Sequence, residues 1–155
     1  MSSRLVRTGG QKLPGLEDSM EEKKKSMTKD EMIMELMELL KANGRPKQAA
    51  DMFESAAYVD MLESKLDQMT NELMQMRKEL QEMKEQQASK SLKETLSEMV
   101  DRAQARCRQM KEKLFEVKEE MHNKASEIVK AVKQKGKEAL NRVSEFFGVK
   151  KKLES

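Results

Sequence analysis

The sequence predicts an all-α protein with a short N-terminal helical hairpin, a heptad coiled-coil segment and a long amphipathic C-terminal helix, elongated in shape. Three observations predict it. From Lys47 to Lys135 the chain runs 89 residues without Gly or Pro, the residues that most often stop a helix. Its apolar residues recur every three or four positions, the period of one helical face. Aromatic residues make up 3% of the 155-residue chain against 15 Met, so bulky rings to fill a sheet-based core are scarce, and six Gly with two Pro are few for an all-β chain.

The elements follow in order. Residues 1–27 carry Gly9, Gly10, Pro14 and Gly15, then Glu21-Glu22-Lys23-Lys24-Lys25, without apolar periodicity, and read as a flexible tail. Residues 28–58 read as a helical hairpin. Thr28 and Glu31 have the spacing of a capping box, and Met32, Ile33, Leu36, Met37 and Leu40 follow at helical spacing. Asn43-Gly44 stops this first helix, expected over Lys29–Ala42, because Gly tolerates the left-handed conformation past a helix end. Pro46 suits the first turn of the next helix.

Residues 59–88 carry the clearest pattern. Val59, Leu66, Leu73 and Leu80 fall at heptad position a, and Leu62, Met69, Met76 and Met83 at position d. An unbroken run of this kind is the seam of a left-handed coiled coil. In a parallel pair of identical chains, Glu72 meets Arg77 and Glu79 meets Lys84, so the flanking charges favour a parallel homodimer. Gln87 and Lys90 then break the seam. Two courses stay open at Gln86–Ser91. The helix continues with a shifted stripe, as the lack of Gly and Pro favours, or it folds back, as the second capping-box spacing Ser91–Glu94 favours.

Residues 89–148 read as one or more amphipathic helices. The stripe Met99, Ala103, Cys107, Met110, Leu114, Val117, Met121, Ala125, Ile128, Val132 averages an eleven-residue repeat, which would not share the twist of the heptad segment. Gly136 interrupts it, Leu140, Val143, Phe146 and Phe147 resume it, and Gly148 is expected to end it. Residues 149–155 form a basic tail.

Charge is uneven. Residues 59–88 hold four basic and seven acidic residues, whereas residues 122–155 hold nine basic and four acidic. Lys133, Lys135, Lys137, Arg142, Lys150, Lys151 and Lys152 are candidate anion-binding residues, for nucleic-acid phosphates or, with Phe146 and Phe147, an anionic membrane surface. Docking of this basic end onto a neighbouring acidic helix is the simpler alternative.

No catalytic constellation stands out. His122 has no second His or Cys nearby to build a metal site and reads as a surface residue. Cys107, the single cysteine, lies on the apolar stripe and reads as a small core residue. No phosphate-binding glycine loop occurs. No enzyme activity, cofactor or metal is expected. The absence of a leader-like or membrane-spanning apolar run points to a cytoplasmic protein.

The segments Met37-Glu38-Leu39-Leu40-Lys41-Ala42-Asn43-Gly44 and Ala49-Ala50-Asp51-Met52, the Met/Leu coil, and the ending from Lys137-Glu138-Ala139-Leu140-Asn141-Arg142 through Phe147-Gly148-Val149-Lys150 resemble a group of small proteins. These are uncharacterised coiled-coil proteins of Firmicutes mobile elements, conjugative or integrative. The resemblance covers about residues 28–153 and implies a bacterial accessory protein with no catalytic or binding residues to carry over. The functional expectation is a non-enzymatic protein that self-associates through its coiled coil. Two alternatives stand beside it: a nucleic-acid-binding accessory factor using the basic C-terminal region, and an inhibitor of a host defence enzyme.

Overall fold

The computed structural model describes residues 25–83 and 89–154. Its elements are helices alone: α1 (Glu31–Ala42), α2 (Pro46–Glu82), α3 (Lys90–Lys135) and α4 (Val143–Glu154), with short 3-10 turns at Met27–Lys29 and Lys137–Arg142. None is long and apolar enough to cross a membrane among the described residues.

The chain folds back between α2 and α3. Lys118–Glu63 (2.8 Å), Lys111–Asp67 (3.2 Å) and the Arg77–Asp101 bridge place the two helices antiparallel. That register sets Val59, Leu66, Leu73 and Leu80 opposite Met121, Leu114, Cys107 and Val100. The reversal point, Gln86–Ser91 in the sequence, lies partly outside the described residues. Its far side is visible: Ser89, rather than Ser91, caps α3, its Oγ accepting from the Leu92 amide at 3.0 Å. On the near side the Lys93 ammonium donates to the Met83 carbonyl at 2.8 Å, satisfying one of the acceptors a helix end leaves open.

The eleven-residue reading of α3 is corrected by burial. Val100, Cys107, Leu114, Met121 and Ile128 are buried at intervals of seven, while Met99 and Met110 are exposed. The averaged stripe mixed two edges of the helix. The edge that faces α2 repeats in heptads, in step with α2.

α1 and α4 cover only one half of this long hairpin. α1 lies along α3 in the same direction, tied by His122–Asp30 (2.7 Å) and Lys133–Glu35 (3.0 Å). α4 runs back along α3, with Lys152–Glu120 (2.6 Å) and Lys124–Glu145 (3.6 Å) between them. The four-helix half encloses the core: Ile33, Leu36, Leu40, Met52, Val59, Met121, Ile128, Leu140 and Phe146 are all buried. Beyond Leu66 and Leu114 the molecule is a two-helix arm. α3 alone, at 46 residues and a rise of ~1.5 Å each, is about 70 Å long.

Several boundaries differ from expectation. α1 starts after Asp30, not Thr28: Asp30 Oδ1 accepts from the amides of Met32 (3.0 Å) and Ile33 (3.1 Å). Thr28 is occupied elsewhere, because Asp60 on α2 accepts from Ser26 Oγ (2.6 Å), Met27 N (2.7 Å) and Thr28 Oγ1 (3.1 Å). Order therefore begins before residue 28, and Met27 is buried. Gly44, at φ 76°, closes α1, and Pro46 opens α2. Gly136, at φ 101°, ends α3. Gly148 does not end α4. The apolar face of Phe146, Val149 and half-buried Leu153 is packed against the core and outweighs the ~1 kcal/mol penalty of a helical Gly. The expected basic tail is thereby part of a docked helix.

Replacing Leu114, 3% exposed, with Ala should cost about 2–5 kcal/mol in chemical denaturation, whereas Glu112→Ala, on the solvent face, should change stability by under ~0.5 kcal/mol.

Candidate functional site

The predicted seam residues divide into two sets. Val59 and Leu66 are closed off in the core and Leu80 is covered by α3, while Leu73, also at a, is half-buried at the groove. The d residues are not closed. Leu62 and Met83 are half-buried, while Met69 and Met76 are 43% and 49% exposed. A hairpin supplies one partner helix, which covers the a edge more fully than the d edge.

The arm opens into an apolar groove of about 350 Å³. Leu73, Met76, Leu80 and Met83 form one wall, and Leu96, Met99, Val100 and Ala103 the other. Beyond the reach of α1 and α4, nothing in the described chain roofs this space. Met99 stands 54% and Met110 44% exposed on the α3 side. Unbranched and flexible, Met adapts its shape to whatever it packs against. Fold-back at Gln86–Ser91, one of the two open courses, brings the α3 wall onto the seam, although the averaged stripe hid its interval. The signal for it was present, since Val100 and Cys107 continue the seven-residue interval of Leu114, Met121 and Ile128.

One cation on the flank of the arm is committed within the chain. Arg77 bridges to Asp101 and donates to Gln104 Oε1 at 2.7 and 3.0 Å. This is one of the two cations that the parallel pairing would use; the other, Lys84, lies outside the described residues.

The candidate anion-binding residues are also divided. Lys133 pairs with Glu35, Arg142 with Glu145 (3.2 Å) and Glu127 (3.5 Å), and Lys152 with Glu120. Lys150 lies 5.1 Å from the Tyr58 ring centroid, a cation–π distance. The Arg142 guanidinium, through its hydrogen bond, holds the Glu145 carboxyl below its ordinary range, and Glu145 in turn raises Arg142. Lys135, Lys137 and Lys151 are exposed. Phe146 is buried, and Phe147, partly buried, packs edge-on to it at 5.6 Å.

One constellation was not anticipated. His122 Nδ1 lies 2.7 Å from Oδ2 of the buried Asp30, beside a cavity of about 250 Å³ lined also by Phe115, Lys118, Glu119 and Asn123. The other Asp30 oxygen caps α1, so the pair joins α3 to the start of α1. His122 is thus an interhelix tie rather than a plain surface residue, and sequence spacing gives no hint of a partner 92 positions away. Among the described residues no group of three or more His, Cys, Asp or Glu is placed to hold a metal ion.

These features define an all-α protein: a small four-helix body from which two antiparallel helices extend as an arm with one apolar edge uncovered. The chain belongs to a family whose model, described as "Family of unknown function (DUF6674)", matches residues 29–155. No curated protein and no solved structure matches it.

Asp30→Ala removes both the helix cap and the His122 anchor. It should destabilise by at least the ~0.5–2 kcal/mol of a lost cap, and by more than His122→Ala does, as read from thermal denaturation at neutral pH.

Proposed function

We propose that this is a non-enzymatic protein–protein interaction protein that self-associates through the uncovered edge of its hairpin arm. One observation carries the reading: Met69 and Met76, at successive d positions, remain about half exposed, and Met76 shares its groove with exposed Met99. A heptad edge of this kind is completed by another helix of the same period. A second copy supplies one.

Charge supports a copy of the same chain as the partner. Residues 69–83 of α2 hold two basic and three acidic residues, while residues 89–110 of α3 hold five basic and three acidic. The net signs are opposite, so α2 of one copy attracts α3 of the other, and a two-fold axis forms both contacts at once. Two arms laid face to face make a four-helix bundle, with the grooves as its interior. This arrangement replaces the simple parallel pair of single helices that the sequence suggests, because the a edge already has its partner.

The likeness to small proteins of Firmicutes mobile elements adds a setting to the proposal: a cytoplasmic accessory protein of a bacterial element. The single thiol, Cys107, is buried and needs no oxidising compartment.

Sedimentation equilibrium should give twice the chain mass for the wild type. Met69→Glu with Met76→Glu should return it to the mass of one chain while far-UV circular dichroism stays helical. A wild type that stays at single-chain mass at all accessible concentrations would sink the reading. Leu66→Lys is the wrong variant here, since Leu66 is 5% exposed within the chain and its loss would unfold the protein instead.

A further inference from the structure

The end of the body opposite the arm gathers basic residues from two distant segments. The α1–α2 turn contributes Arg45 and Lys47. The α3–α4 connection contributes Lys135 and Lys137. Arg45 Nη2 donates to Asn141 Oδ1 at 2.8 Å, which holds the two segments together. Between them, residues 41–47 and 130–142 hold eight basic residues and one acidic residue, Glu138.

Five of these cations have no carboxylate partner among the described residues: exposed Lys130 and the four named above. Arg45 bonds only amide oxygens, of Asn141 and Gln48, which leave its charge uncancelled. Lys47, Lys135 and Lys137 are exposed. Helix dipoles explain part of this distribution, because cations are favoured at the C-terminal ends of α1 and α3. They do not explain Arg45 and Lys47. These sit at the N-cap and in the first turn of α2, the end where a helix favours anions. Local physics there opposes cations, and an external anion would reverse the sign of the effect.

We propose that this pole is a contact surface for the phosphate backbone of nucleic acid, read without sequence specificity. The cations are spread over two exposed segments, which suits a line of phosphates better than one small anion. The donors are Lys and Arg ends with no array of side chains aimed at base edges, which suits backbone contact. An anionic membrane would share the charge, but of the aromatic residues that would insert, Phe146 is buried in the body and Phe147 is partly buried against it. The surface lies away from the arm, so its occupation is independent of self-association.

Fluorescence anisotropy of the full chain with labelled short duplex DNA, and separately duplex RNA, tests this. If Arg45, Lys47, Lys135 and Lys137 meet phosphates, the logarithm of affinity should fall with the logarithm of salt at a slope of about −3.6 on DNA. Between about 50 and 200 mM salt that is a loss of roughly a hundredfold. Lys135→Glu with Lys137→Glu, and independently Lys47→Glu, should each weaken binding at least tenfold without lowering the melting temperature or changing the sedimenting mass. Lys78→Glu, on the arm, should leave binding unchanged. The proposal is overturned by absent binding at the lowest salt, by salt-independent binding, by reversed charges that leave affinity intact, or by phosphatidylserine vesicles capturing the protein more strongly than either duplex does.

Discussion

The Lys118–Glu63 ion pair sets the alignment on which the rest of the molecule depends. Lys118 is 5% exposed at its side chain and Glu63 21%, with 2.8 Å between the charged atoms. Such a pair adds little net stability against an apolar equivalent, but leaving one partner buried and unpaired costs about 3–5 kcal/mol. Sliding α3 by one heptad along α2 would part Lys118 from Glu63. Heptad seams are otherwise tolerant of such slips, because each layer resembles the next. The buried pair marks one register, and Val59 against Met121 and Leu66 against Leu114 follow from it. Lys111–Asp67 and Arg77–Asp101 repeat the same alignment along the arm with more exposed and individually weaker pairs.

Once α2 and α3 are aligned, the other two helices find their places by covering what remains. The half of the hairpin nearest the chain ends has apolar residues wide enough for three neighbours: Ala49, Met52, Ala56 and Val59 on α2, and Val117, Met121, Ala125, Ile128 and Val129 on α3. α1 brings Ile33, Leu36 and Leu40, while α4 and the turn before it bring Leu140, Val143 and Phe146. The other half has neither the width nor the partners. Its a edge is covered more fully than its d edge, and the exposed apolar residues left over are mostly methionine. This uneven coverage separates a stable body from an arm with an open groove.

Electrostatics follow the same division. The basic end of the chain finds its carboxylates outside the acidic middle, and Lys152–Glu120, Lys133–Glu35 and Lys124–Glu145 are the forms that this attraction takes. The attraction is spent on docking α4 and tying α1 to α3. It does not use the cations at the turn end of the body. There, folding sets Arg45 beside Asn141 and so joins two runs of lysine that lie about ninety residues apart in the chain.

Helical class, the positions of Gly44, Pro46 and Gly136, and the a/d residues of α2 were all legible in the sequence, because each rests on a period or a backbone preference that acts over a few residues. The seven-residue interval of α3 was legible too but was obscured by averaging, since Met99 and Met110 are as apolar as Val100 and Cys107 and only burial distinguishes them. The caps show the limit most directly. Thr28 and Asp30 are both good caps locally, and the choice falls to Asp30 because Asp60, thirty residues on, binds Thr28. Gly148 likewise stays helical because Phe146 and Val149 are held by other helices. Local sequence carries the helical stretches up to Gly148 and the apolar a/d residues of α2. Only the tertiary structure decided which edges meet, because that choice depends on the chain reversal, on one buried ion pair and on long-range partners such as His122 and Asp30, whose attraction carries no trace in local spacing.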